Sequence, residues 1–252
     1  MREIVDLRDK IKRYYGFTPL EARSLIIAIL VIAFVFSFKE WGYGSAFDFK
    51  IGLFNYFNAI LIVALSFLVH ISMQRIWALG TGFRLEWKMW SFGLLFALIM
   101  AFLTNGFIWW LIIPGGIILH HMGGHRLGWF RYEINYWALG LTTATGTIAT
   151  IILVMIFKAL GAFVSNPLID KLIIFNIVYA LCSLLPIPPL DGSRIFYGSR
   201  MFYVFLTSFA IIISLLLFSG IGIGISLLLS FFAGIVFWIS YYILFENRAW
   251  RL

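Results

Sequence analysis

The sequence is poor in charged residues. Aspartate, glutamate, lysine and arginine make up 12% of the 252 residues, against about 25% in soluble domains. Hydrophobic residues make up 62%, and the mean hydropathy is +0.98. A water-soluble fold has too little interior to hide that much apolar surface. We therefore predict an integral membrane protein, placed in the cell membrane.

Cysteine is almost absent, and positive charge is scattered. Cys182 is the only cysteine, which excludes an intrachain disulfide and a cysteine-rich metal site. The formal net charge is +8, but lysines and arginines come in short clusters between apolar runs and do not build one basic face. This distribution fits membrane orientation and anionic lipid. Membrane lipid is thus an expected partner, and nucleic acid is not.

Apolar runs long enough to cross a bilayer recur along the chain. We predict an all-α polytopic membrane protein with six or seven transmembrane helices, in which residues 20–252 form one membrane domain. The last two runs predict a C-terminal helical hairpin at residues 201–246. The predicted spans are residues 24–38, 51–70 or 51–77, 137–157, 172–185, 201–218 and 221–245.

The N-terminal segment, residues 1–19, mixes basic and apolar residues. Ile4, Leu7, Ile11 and Tyr14 recur at helical spacing, which indicates either an amphipathic helix on the cytoplasmic surface or a solvated basic tail. We predict that the N-terminus is cytoplasmic and that the first helix is not cleaved. The cations that follow the second span and those at the C-terminus fit this orientation: Arg75, Arg84, Lys88, Arg248 and Arg251.

The middle of the chain is ambiguous. Residues 90–113 are long enough to span, but a Pro-Gly-Gly sequence follows them, so this segment either crosses the bilayer or is re-entrant. Two cytoplasmic termini require an even number of crossings, which favours the re-entrant alternative. Residues 117–132 are predicted to form a strand or hairpin, packed on protein or lining a wet cavity.

Ionisable residues in or beside apolar runs are the candidate functional residues, because placing them there is costly. His70 ends the second span, and Asp191 follows a helix that three prolines must end or kink. A carboxylate at such a break suits cation binding, or it caps the turn that follows. A third group consists of His120, His121 and His125.

Residues 183–194 read Ser-Leu-Leu-Pro-Ile-Pro-Pro-Leu-Asp-Gly-Ser-Arg. This run resembles the Asn-x-x-Pro-x-x-x-Leu-Asp-Gly motif of the site-2 protease family of intramembrane zinc metallopeptidases. The resemblance implies a site-2-protease-like core over residues 51–194 and a zinc-ligand role for Asp191. It also implies a binding role for the rest of the motif, namely Pro186, Pro188, Pro189, Leu190 and Gly192.

The same resemblance places His70-Ile71-Ser72-Met73-Gln74 where the family has His-Glu-x-x-His. By that alignment His70 is a zinc ligand, Ile71 stands at the general-base position and Gln74 at the second histidine. Thr147 and Thr150 stand where the family's Gly-Pro-x-x-Asn helix has proline and asparagine. Ser183 replaces the first asparagine of the Leu-Asp-Gly motif.

These replacements remove the groups that the family motif uses for zinc-dependent peptide hydrolysis. In His-Glu-x-x-His the two histidines share one helix face and bind zinc, while the glutamate takes a proton from the bound water. Ile71 cannot accept a proton, and an amide oxygen of Gln74 is a poor zinc ligand. No catalytic set is intact, although His120, His121 or His125 could substitute as a ligand.

We therefore predict a catalytically inactive homologue that binds transmembrane segments or other membrane partners and carries no cofactor. One alternative is an active intramembrane zinc metallopeptidase with a non-standard ligand set. A second alternative is a small transporter or channel in which Asp191 binds a cation.

Overall fold

The computed structural model describes residues 2–43, 46–122 and 136–247. The chain is mostly helical and divides into two compact units, Met1–Ile134 and Asn135–Leu252. Five of the described helices are long and apolar enough to cross a membrane, as polytopic membrane proteins require. These are Pro19–Glu40, Phe49–Gly80, Tyr136–Gly161, Arg200–Phe218 and Ile223–Glu246.

The first unit is built on a helical hairpin. Helix α1 (Arg2–Tyr14) precedes α2 (Pro19–Ser37), which continues as a short 3-10 turn at Phe38–Glu40. Two minimal strands, β1 (Gly42–Tyr43) and β2 (Ala46–Phe47), lead to the 32-residue α3 (Phe49–Gly80). The α2 and α3 helices pack on each other, and α1 packs on α3. The predicted N-terminal helix is confirmed, and its position on a membrane surface stays a prediction.

A short helix and an antiparallel pair of strands complete the first unit. Strand β3 (Phe83–Met89) pairs with β4 (Gly115–His121), with Phe83 opposite His121. Between them α4 (Ser91–Leu103) has 13 residues, about 20 Å, which is shorter than the roughly 30 Å of a bilayer core. Asn105 and Gly106, both with positive φ, follow the helix end. No continuous helix therefore fills residues 90–113.

The predicted strand within residues 117–132 is confirmed as β4, which begins two residues earlier, at Gly115. The rest of that segment, from residue 123, lies outside the described residues, and His125 with it. The fold is thus not purely helical. The β3–β4 pair buries alternate positions such as Leu85 and Leu119 and exposes His120.

Residues 136–247 of the second unit contain five α-helices: α5 (Tyr136–Gly161), α6 (Pro167–Ser183), α7 (Asp191–Gly198), α8 (Arg200–Phe218) and α9 (Ile223–Tyr241). Helix α6 ends at Ser183, ahead of Pro186, so the predicted break at the prolines is confirmed. Its 17 residues put it at the short end of spanning lengths. Helices α8 and α9 form the predicted C-terminal hairpin, which a π-helical turn extends through Glu246.

Glycines allow α5 and α7 to approach closely. A Cβ at Gly198 would lie 2.7 Å from the carbonyl oxygen of Tyr136, and one at Gly140 would lie 3.4 Å from the Cα of Gly198. Gly140 of α5 therefore contacts the backbone of α7 directly, as small residues do where helices pack closely. This contact sets α7, and Asp191 at its start, against α5.

Candidate functional site

The three predicted positions on α3 are buried. His70 is 2% exposed, Gln74 is 1% exposed and Ile71 is fully buried. His70 and Gln74 are one helical turn apart, so their side chains share a face, as the motif resemblance requires. On that face the Nε2 atoms of Gln74 and His70 are 3.1 Å apart and hydrogen-bonded.

This hydrogen bond occupies a nitrogen that would otherwise bind a metal. With the amide nitrogen of Gln74 as donor, Nε2 of a neutral His70 accepts; with the amide turned around, Nε2 donates to the amide oxygen. In either arrangement, His70 Nε2 faces Gln74.

Asp191 is the first residue of α7 and is 7% exposed. Leu190 holds the cap position with no side-chain cap bond, and Asp191 is the acidic residue of the first turn of α7. The Asp191 carboxylate interacts electrostatically with Arg194, three residues along the same helix, and with Tyr179 of α6. Burial lowers the pKa of the Arg194 guanidinium, and the Asp191 charge opposes that effect.

Side-chain hydrogen bonds to backbone carbonyls hold the Pro-Pro-Leu-Asp-Gly run in place. Arg194 Nη1 donates to the Pro189 carbonyl at 2.5 Å, and the Ser193 hydroxyl donates to the Leu190 carbonyl at 2.7 Å. A Cβ on Gly192 would collide with the Leu184 carbonyl, so this position requires glycine. Of the other residues implied by the resemblance, Leu190 is buried, Pro189 half-buried, and Pro186 and Pro188 exposed.

Two positions that differ from the family motif contact each other. Thr147 Oγ1 of α5 and Ser183 Oγ of α6 lie 3.1 Å apart in a buried hydrogen bond. Ser183 also donates to the Ala180 carbonyl at 2.8 Å, so its single hydroxyl hydrogen is committed and Thr147 is the donor. The hydroxyl pair links α5 and α6 close to the end of α6.

His120 and His121 lie at the end of β4. His120 Nε2 donates a hydrogen bond to Glu86 Oε2 of β3 at 3.2 Å, and the His121 ring packs on Phe83. Both histidines line a cavity of about 470 Å³ in the first unit. His70 is not among the described residues of its lining. His70 belongs to the first unit and Asp191 to the second.

The described ranges contain no group of three or more histidine, cysteine, aspartate or glutamate side chains suited to hold a metal ion. The structure therefore brings Gln74 to His70 and Glu86 to His120. It does not assemble the histidines into a ligand set within the first unit, as far as that unit is described.

The sequence reasoning missed a buried ion pair in the first unit. Arg75, predicted to be a loop cation, lies inside α3 at 1% exposure and pairs with Glu21 of α2. Arg75 Nη1 also donates to the carbonyls of Tyr15 and Gly16, at 2.8 and 3.0 Å. The capping-box sequence Thr18-Pro19-Leu20-Glu21 signalled the start of α2, but nothing in the sequence pointed from Glu21 to Arg75.

In comparisons with known proteins, no protein-family model, no curated protein and no solved structure matches this chain.

Proposed function

We propose that this protein is a catalytically inactive, site-2-protease-like membrane protein that binds transmembrane segments of other proteins. The observation that carries the proposal is the hydrogen bond between His70 and Gln74 at the position of the zinc-binding helix face. A peptidase of this class needs the side chains on that face to bind zinc. In this protein, the two side chains hydrogen-bond to each other.

The residue between these two side chains supports the same conclusion. A zinc peptidase requires three protein ligands, an open fourth position and a carboxylate that takes the proton of the metal-bound water. Ile71, at the carboxylate position, is fully buried and apolar. Restoring hydrolysis would thus need at least two changes on α3, one for the base and one for the ligand.

An apolar groove in the second unit supports the binding role. It has a volume of about 370 Å³ and lies where α8 and α9 meet near the start of α5. Aromatic side chains dominate its lining: Trp137, Phe202, Phe205, Phe231 and Trp238. Packing governs helix association in membranes, so a groove of this kind suits bulky side chains of a partner helix.

Zinc content tests the loss of the metal site. We expect detergent-purified wild-type protein to hold no zinc above background. Gln74→His creates a His-x-x-x-His pair with His70 on one face of α3 and should raise the zinc content to about one per chain, and His70→Ala/Gln74→His should lose it. Met73→His is the matched control, because Met73 is exposed and one residue away on α3.

Two outcomes would contradict the proposal in different ways. A wild-type protein with one zinc per chain, lost in both His70→Ala and Asp191→Ala, would support the active metallopeptidase. A folded Gln74→His protein without zinc would contradict the assignment of this helix face to a former zinc site. The binding role would then depend on the crosslinking experiment.

Site-specific photo-crosslinking tests the binding role. A benzophenone side chain at Trp238, in the groove, should give discrete adducts whose linked residue lies in a transmembrane segment of the partner. The control position is Phe232, which is exposed on the same helix and does not line the described part of the groove. Equal adducts from both positions, or adducts with lipid alone, would contradict a partner-binding groove.

A further inference from the structure

The cavity of about 470 Å³ in the first unit is polar, and the proposed function does not use it. It lies between the α1–α2 junction, which contributes Tyr14 and Thr18, and the β3–β4 pair. From the strands come Arg84 and Glu86 on β3 and the two histidines at the end of β4. Arginine, histidine, tyrosine and threonine are all donors, so the lining is suited to an anion.

Both acids of the lining have partners of their own. Glu21 pairs with Arg75, and its Oε1 also accepts the backbone N–H of Trp87 at 2.9 Å. Glu86 pairs with His120. That second pair is about half exposed, at 44% and 51% of the side chains, so it is weak and rearranges at little cost.

Two donors of the lining are uncommitted. Within the described residues, Arg84 and the Tyr14 hydroxyl make no hydrogen bond and no ion pair, and both side chains are exposed. The positive charge of the Arg84 guanidinium is also close enough to that of Arg75 for the two charges to repel each other. A guanidinium without a partner at the mouth of a cavity is the group that binds phosphate oxygens in a bidentate manner.

The cavity lies at the end of the helical hairpin. Helix α2 begins at Pro19 and α3 ends at Gly80, so both chain ends of this antiparallel pair are beside it. If the hairpin crosses the bilayer, this is the level of the phospholipid head groups. Phosphate is the anionic group that is abundant there.

We propose that this cavity binds a phosphate group, carried either by an anionic phospholipid or by a soluble phosphate compound. Arg84 holds two phosphate oxygens. The Tyr14 hydroxyl donates to a third oxygen. The site is separate from the His70–Gln74 face and stands whether or not the chain resembles a peptidase.

Calorimetric titration of the detergent-purified full chain tests the proposal with two probes, dihexanoyl phosphatidic acid and inorganic phosphate. We expect saturable binding at one site per chain. Arg84→Ala should weaken it by about tenfold or more, because a charge-assisted bidentate contact is lost. Arg84→Lys keeps the positive charge without the planar guanidinium, so its affinity should fall between those of wild type and Arg84→Ala.

Lys88→Ala is the matched control. Lys88 is an exposed cation on the same strand, opposite Gly116, and is not among the described residues of the cavity. Its removal should change the affinity by less than about twofold, as for a screened surface charge. Tyr14→Phe removes only a hydroxyl and should weaken binding by a few-fold. Because this change is small, it tests the site even if the Arg84 variants misfold.

The two probes separate the sources of the phosphate. Tight binding of phosphatidic acid that inorganic phosphate does not displace assigns a lipid head group. Binding of inorganic phosphate that competes with the lipid assigns a soluble phosphate compound. No saturable binding of either probe to folded protein overturns the proposal, and so does equal weakening by Arg84→Ala and Lys88→Ala.

Discussion

The Glu21 carboxylate and the Arg75 guanidinium form an ion pair in which each side chain is only 2% exposed. Glu21 belongs to the first turn of α2, and Arg75 to the last turns of α3. The guanidinium also lies over the Phe17 ring, 4.1 Å from its centroid. Because the pair also bonds to Trp87 of β3, it joins three elements of the first unit.

Removing one partner of this pair should be strongly destabilising. Glu21→Ala or Arg75→Ala leaves a buried charge uncompensated, which costs about 3–5 kcal/mol. We expect the midpoint of thermal unfolding in detergent to fall by roughly 10 °C for either variant. Arg23→Ala, an exposed cation on the same helix, should stay within about 0.5 kcal/mol of wild type. A small effect of Arg75→Ala would mean that water reaches the pair.

Gly192→Ala should destabilise the second unit, because the new methyl group would collide with the Leu184 carbonyl. Overpacking of this kind costs about 1–3 kcal/mol. Gly224→Ala serves as the control, since the space around Gly224 in the first turn of α9 is open. That variant should be neutral or slightly stabilising, by up to about 1 kcal/mol. Thermal unfolding of both variants in the same detergent measures the difference, and equal midpoints would contradict the tight approach.

The hydroxyl pair between α5 and α6 predicts an asymmetric result. Ser183→Ala leaves the Thr147 donor buried without its acceptor and should cost about 1–3 kcal/mol. Thr147→Val removes the donor, while Ser183 keeps its bond to Ala180, so the cost should be about 1 kcal/mol. A double-mutant cycle of unfolding midpoints checks the coupling. Additive effects would show that the two hydroxyls do not share a bond.

Chelation should leave the stability of the wild-type protein unchanged. The Nε2 atom of His70 is hydrogen-bonded to Gln74. Under the proposed function, this contact takes the place of a metal, and no metal contributes to folding. Unfolding midpoints with and without EDTA should agree to within about 1 °C, well below the shift from loss of a structural metal. A lower midpoint in EDTA that zinc restores would favour the metallopeptidase alternative.

Local patterns predicted the helices well. Apolar runs of about 20 residues marked all five long helices, and the prolines at 186, 188 and 189 marked the end of α6. Exact ends were less predictable. Helix α2 begins at Pro19, five residues before the predicted start, because a capping box incorporates the polar residues ahead of the apolar run.

The candidate site was only partly predictable. The spacing of His70 and Gln74 placed both residues on one face of α3, but only the folded structure shows that they bond to each other. The sequence left open whether Asp191 lies in a turn or in a helix, and the structure places it in the first turn of α7. The ion pair of Glu21 and Arg75 joins residues 54 positions apart, and no local pattern encodes such a contact.

The sequence by itself determined the apolar character of the chain, its long helices and the absence of a His-Glu-x-x-His sequence, because hydrophobicity, helical period and residue spacing are local properties. Tertiary structure decided which polar groups are buried together: Gln74 with His70, Thr147 with Ser183, and Glu21 with Arg75. It also created the polar cavity at the end of the first hairpin. These contacts depend on helix packing and strand pairing, which bring together residues distant in the chain or orient neighbours toward one another.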